Sequence, residues 1–225
     1  MVGGVLMKLN KVLWVDDDPM FLDYISESLN LVQTELFDKE LISRDMLLNL
    51  IFFSNVDDAL IGLEKDQQLS SPEISLLVFD QHMPDIKGLD LAKKIKHMQE
   101  FSHYRFAMCS SEDDIIVLAE ALSLGAVEYI PKQLAVEQIY FTLQYQVQQI
   151  NHIQRVVDNS RKRIRRALAA GIIASKTSST ADEVLKNMND LAQRRGESID
   201  TYADRVVSAH NQLASVTSDL THLIT

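Results

Sequence analysis

Five short runs in the first part of the chain are apolar almost throughout: KVLWVD (11–16), NLIFFS (49–54), SLLVFD (75–80), YRFAMC (104–109) and VEYI (127–130). A strand covered on one face alternates apolar and polar side chains, whereas a strand covered on both faces reads as a continuous apolar run. Between the runs lie PMFLDYISESLNLV, VDDALIGLEK, GLDLAKKIKHM and EDDIIVLAEALSLG, which have the apolar spacing of amphipathic helices; Gly125 closes the last. Strands that alternate with helices predict an α/β fold, a doubly wound five-stranded parallel sheet with helices on both faces.

In such a sheet, ligands bind beyond the carboxyl ends of the strands. The polar residues at those ends are Asp16 and Asp17 after the first run, Asp80 closing the third, Ser110 after the fourth and Lys132 after the fifth. Taken singly, VDDDP reads as a helix cap and MPDIKG as a turn. Taken together, the five side chains converge on one edge. Clustered carboxylates repel one another unless a cation lies among them, and a hard, all-oxygen donor set suits Mg²⁺. A lysine and a hydroxyl beside them are what the oxygens of a transferred phosphoryl group need. The expected chemistry is phosphoryl acceptance by one carboxylate, with a metal neutralising charge.

The chain is acidic, with formal net charge −10, but unevenly so. Acids outnumber bases 24 to 11 through residue 150, and bases outnumber acids 11 to 8 thereafter. A basic tail on an acidic front is a place to look for nucleic-acid contact. No run of eighteen apolar residues is present, and MVGGVLMKLN lacks the apolar core and cleavage pattern of a secretory signal, so a cytoplasmic protein with no membrane association is expected. The single cysteine, Cys109, permits neither an internal disulfide nor a multi-cysteine metal site, and is expected as a buried, inert thiol.

Residues 10–133 resemble a bacterial two-component receiver domain of flavodoxin-like fold, on the motifs VLWVDDDP, LLVFDQHMPDIKG, CSS and YIPK. The resemblance implies that Asp80 accepts a phosphoryl group from a partner histidine kinase. It implies that Asp16, Asp17 and Asp80 hold Mg²⁺ with the backbone carbonyl of His82. Ser110 and Lys132 would contact the phosphoryl oxygens, and Ser110 and Tyr129 would reorient as the switch. Such a receiver catalyses only its own phosphoryl transfer and dephosphorylation. The connection from the first helix to the second strand, with QTELFDKELISRDML, is longer than the family usually has.

From residue 134 neither proline nor glycine interrupts a helical pattern until Gly171. Val136, Tyr140, Leu143, Val147, Ile150, Gln154, Val157, Arg161, Ile164 and Leu168 follow alternating spacings of three and four, a heptad seam with polar breaks at Gln154 and Arg161. The first turns are expected to dock on the receiver as its last helix, and the continuation to pair with a second chain, giving a homodimer through the 134–168 helix.

Beyond this coiled-coil linker (134–162), residues 163–225 read as a small three-helix all-α domain, with boundaries at Gly171 plus SKTSST and at RRGES. Thr180 with Glu183 has capping-box spacing, and Ser198 is a further candidate cap. No catalytic constellation occurs in it, so a binding module is expected rather than an enzyme. The segment resembles the RNA-binding antiterminator domain called ANTAR, from about Arg163 to Val207, through AAGII, TADEV, QRRG and YADRVV. That resemblance implies structured RNA as the partner. Candidate phosphate contacts are Arg161, Arg163, Arg165, Arg166, Lys176, Arg194 and Arg195, and Tyr202 is the aromatic available to stack on a base. A tail that binds duplex DNA, or only another protein, is the alternative.

Overall fold

The computed structural model describes residues 10–69, 72–111 and 115–224, with side chains through 213. The chain divides into two compact units, Met1–His152 and Ile153–Thr225. The division lies within a long helix, Val136–Ala174.

The first unit is built on strands β1 (Lys11–Val15), β2 (Asn49–Phe53), β3 (Ile74–Asp80), β4 (Arg105–Ser110) and β5 (Glu128–Pro131). They form a parallel five-stranded sheet in the order β2-β1-β3-β4-β5. Helices α1 (Pro19–Asp38), α2 (Val56–Gln67), α3 (Gly88–His97), α4 (Ile115–Ser123) and α5 (Val136–Ala174) connect and follow the strands. The order reverses at β1, so β1 and β3 lie side by side and their carboxyl ends open a crevice.

Alternate side chains of the strands feed two cores. Val12, Trp14, Leu76, Val78, Ala107 and Cys109 pack with Ile25 and Leu29 of α1 and with Tyr140, Leu143 and Val147 of α5. Leu13, Val15, Leu77, Phe79, Phe106 and Met108 pack with Leu63 of α2, Leu91 and Ile95 of α3, and Ala121 of α4. All seven residues of β3 are buried, which accounts for the unbroken apolar run that ends on an acid. At the opposite end of the sheet, buried Asp66 accepts from the Tyr104 hydroxyl at 3.0 Å and from the backbone N–H groups of Glu73 and Ile74, which ties α2 to the start of β3.

Two elements run longer than the sequence pattern predicts. Helix α1 extends to Asp38, past the expected Val32, because no glycine or proline interrupts QTELFD. It ends where Glu40 takes the left-handed conformation, φ 57°. Helix α5 passes through Gly171 to Ala174, so the first helix of the tail is the end of α5. Of the expected seam, Tyr140, Leu143 and Val147 are buried in the first unit, with Val136 and Ile150 packed beside them.

In the second unit, α5 is followed by α6 (Ala181–Arg194) and α7 (Ile199–Ile224). Ala169, Ala170, Val184, Met188, Ala203 and Val207 form its buried core. Thr180 and Glu183 make the expected reciprocal capping box, and Ser198 Oγ accepts from Thr201 N at 3.1 Å.

Candidate functional site

The crevice beyond β1, β3, β4 and β5 gathers the five polar residues singled out by sequence. Asp16 and Asp17 follow β1, Asp80 and Ser110 are the last residues of β3 and β4, and Lys132 follows β5. The backbone places Lys132 directly: its N–H donates to the carbonyl of Ser110 at 2.9 Å. Ser110, like Asp16, is fully buried.

The ammonium of Lys132 lies 2.6 Å from Asp16 Oδ2 and 3.0 Å from Asp80 Oδ1, with only 15% of the side chain exposed. The second oxygen of Asp80 accepts from the backbone N–H of His82 at 2.8 Å, and Asp16 Oδ1 accepts from Asp18 N at 3.1 Å. Burial pushes the Asp16 carboxyl above the ordinary carboxylate range; Lys132 opposes the rise only in part, and the Asp80 charge adds to it. Burial alone would lower Lys132, but the hydrogen bonds and charges of Asp16 and Asp80 outweigh it and hold the ammonium above its usual value.

Carboxylate oxygens of Asp16, Asp17 and Asp80 all lie within 4.8 Å of one another. Asp16 Oδ2 is buried and has the Lys132 ammonium against it at 2.6 Å. Three carboxylates so gathered are a hard, all-oxygen donor set, which fits a divalent cation such as Mg²⁺. These residues would hold it.

The side chain of His82 is exposed, so its contribution here is the backbone. Tyr129 stands opposite Met108 in the β4–β5 ladder and is half-buried against the core shared with α4. Two participants escaped the sequence reading. Gln81 is buried and shapes the loop after β3, its Oε1 accepting from Leu89 N at 3.1 Å and its carbonyl from Gly88 N at 3.1 Å. Phe21 presents its ring to Lys132 at 4.4 Å. Neither has a sequence signal, since both act through the place the fold gives them.

In the second unit the basic candidates fall into two groups. Arg166 makes a bidentate pair with Asp200 (Nε to Oδ1 2.7 Å, a second amino group to Oδ2 3.0 Å). That pair raises Arg166 and lowers Asp200. Arg165 lies 3.3 Å from Asp204. Tyr202 is half-buried in the core of this unit, and Arg205, itself paired with Glu197, covers its ring at 5.1 Å. Arg161, Arg163, Lys176, Arg194 and Arg195 are exposed.

Comparison with known proteins places the match on the first unit. Residues 12–144 match the profile of the response regulator receiver domain. The chain is similar to the sensory transduction protein LytR of Staphylococcus haemolyticus, with 32% identity over 133 residues, 57% of this chain and 48% of that protein. It is also similar to the chemotaxis protein CheY-3 of Vibrio cholerae, with 31% identity over 86 residues, 38% of this chain and 66% of that one. In both cases the chain spans less than two thirds of the relative's length. The fold is similar to the signal receiver domain of an HD domain-containing protein from Pseudomonas fluorescens, with TM-score 0.51, 19% identity, and coverage of 68% of this chain and 96% of that one.

Proposed function

The chain belongs to the response regulator receiver domain family, and from that premise we propose that Asp80 is its phosphoryl acceptor and that phosphorylation gates binding by the helical tail. Receiver domains of two-component systems take their phosphoryl group from histidine kinases, so the family places this protein under phosphorylation control. The observation that carries the assignment is Lys132 held between Asp16 and Asp80, 2.6 and 3.0 Å away, at the carboxyl edge of the sheet.

The step follows from those positions. An Asp80 carboxylate oxygen attacks phosphorus, the phosphorus–nitrogen bond of a phosphohistidine breaks, and the departing imidazole takes the electron pair and a proton. Asp16, Asp17, Asp80 and the His82 carbonyl would hold Mg²⁺, which would supply neutralising charge at the transferred oxygens. Lys132 supplies a second positive charge, and the Ser110 hydroxyl donates to a phosphoryl oxygen. Ser110 and Tyr129 then reorient toward the modified Asp80 and alter the surface around α4, β5 and α5.

The output we assign to the tail is binding of structured RNA, leading to transcription antitermination. Its support is the ANTAR-like pattern of residues 163–207 together with exposed Arg161, Arg163, Lys176, Arg194 and Arg195. Arg166 is paired with Asp200 and Tyr202 is half-buried, whereas Arg165, although 3.3 Å from Asp204, is exposed and remains with the exposed group on which the RNA contact rests. A homodimer formed through α5 brings two such surfaces together; Ile153, Val157, Ile164 and Leu168 are exposed apolar side chains on its later turns. The same stripe favours a second reading, in which the tail engages a protein partner instead of RNA.

One experiment decides between them. The purified protein is mixed with a pool of structured leader RNAs at two salt concentrations, with and without beryllofluoride plus Mg²⁺, beside an Asp80→Ala variant. Hairpin retention that depends on beryllofluoride and is lost in the variant supports the gated RNA reading. A weak, salt-sensitive background in every arm overturns the RNA output, and retention unchanged in Asp80→Ala overturns the gating.

A further inference from the structure

Lys132 has a third neighbour besides its two carboxylates. Its Nζ sits 4.4 Å from the centroid of the Phe21 ring. The Phe21 backbone is fixed in the first turn of α1, where its N–H donates to Asp18 Oδ1 at 3.2 Å. The ring centroid lies 6.1 Å from that of fully buried Trp14, the planes tilted by 60°, and Trp14 lies 6.1 Å from Phe52. An aromatic ring attracts a cation through its quadrupole, and more strongly when the cation is desolvated, as it is here.

We propose that Phe21 is a positioning residue for phosphoryl acceptance: its ring face holds the Lys132 ammonium against Asp16 and Asp80. The contact has two consequences of opposite sign. It aims the ammonium at the oxygens of the incoming phosphoryl group. It also strengthens the competition of Lys132 with a divalent cation for Asp16 Oδ2, the oxygen the ammonium touches. An aliphatic side chain of similar volume would fill the space but offer no negative face to the cation. The proposal rests on the assignment of Asp80 as acceptor.

The test compares full-length wild type, Phe21→Leu and Phe21→Tyr by two readouts. The first is the rate of phosphoryl incorporation from acetyl phosphate; the second is Mn²⁺ affinity, with free Mn²⁺ counted by electron paramagnetic resonance. The strength of such a contact predicts that Phe21→Leu slows incorporation by roughly 3- to 30-fold while Mn²⁺ binds severalfold tighter. Phe21→Tyr should match wild type in both. Mere loss of packing would weaken both readouts together, so a parallel fall overturns the proposal. So does a Phe21→Leu protein unchanged in both, or a Phe21→Tyr protein as impaired as Phe21→Leu. An Asp80→Asn control labelled as well as wild type would instead overturn the acceptor assignment, and the Mn²⁺ comparison would still decide whether Phe21 holds Lys132.

Discussion

The side-chain amide of Asn151 donates to Oδ1 of Asn10 at 3.0 Å, joining residues 141 positions apart. Asn10 in turn donates to the carbonyls of Asp45 and Leu47 at 2.7 and 3.1 Å, and Gln144 donates to the carbonyl of Met46 at 3.4 Å. The connection between α1 and β2 thus has a physical use: its carbonyls receive polar side chains that fasten residues 144–151 of α5 within the first unit. Replacing Asn151 with Ala should destabilise that unit by about 1 kcal/mol, the net worth of one part-buried hydrogen bond. Urea unfolding should show a lower midpoint at unchanged slope; an unchanged midpoint would mean the bond contributes nothing.

Gly88 opens α3 beneath the site, where a Cβ would lie 2.2 Å from the Asp80 carbonyl oxygen and 2.7 Å from Met108 Cε. The backbone oxygen cannot yield without moving Asp80. Gly88→Ala should therefore cost about 1–3 kcal/mol and also weaken divalent-metal binding, a pairing that thermal unfolding and a metal titration would reveal. Normal metal affinity in a destabilised variant would separate the clash from the site.

Lys132 neutralises two buried carboxylates, so its removal leaves like charges facing each other. Lys132→Met should lower stability by about 3 kcal/mol in metal-free buffer. Added Mg²⁺ should then raise the melting temperature more than it does for wild type, because binding at the vacated position stabilises the folded state by mass action. Equal Mg²⁺ responses in the two proteins would refute this.

The Arg166–Asp200 pair lowers the folded-state pKa of Asp200 through the hydrogen bonds from Arg166. A depressed carboxyl stabilises the fold above its unfolded pKa, and the contribution is lost as pH falls through the depressed value. With the two side chains 37% and 25% exposed, solvent screening limits the pair to about 1 kcal/mol. Arg166→Gln should consequently melt below wild type at neutral pH, and the gap should close in acid. A gap independent of pH would place the effect in packing by the guanidinium.

The sheet was legible because strands buried on both faces leave apolar runs that little else explains; each predicted strand lies within one residue of its observed bounds. The five polar residues at strand ends were legible for a related reason, since parallel topology brings those ends together wherever the intervening helices run. Helix lengths were less so. QTELFD carries no stop signal, and the end of α1 is set by the left-handed Glu40. Gly171 resembles a stop yet lies inside α5, because its neighbours Ala169 and Ala170 are fixed in the core with Val184 and Met188. Pairings such as Asn10 with Asn151, Lys132 with Phe21 and Arg166 with Asp200 join distant parts of the chain and leave no local pattern to read. The last of these pairs a candidate phosphate contact with an acid of the same unit.

Cys109 lies on β4 directly beside Asp80 in the strand register, fully buried, its thiol pushed well above the ordinary range by burial. With no second cysteine in the sequence, it works as a built-in clock. An alkylating reagent can reach the sulfur only when the centre of the sheet comes apart, so the labelling rate counts those openings one molecule at a time. Taken with and without beryllofluoride, that rate would say how firmly the phosphorylated state clamps the strands beneath it, with no probe added and no residue changed.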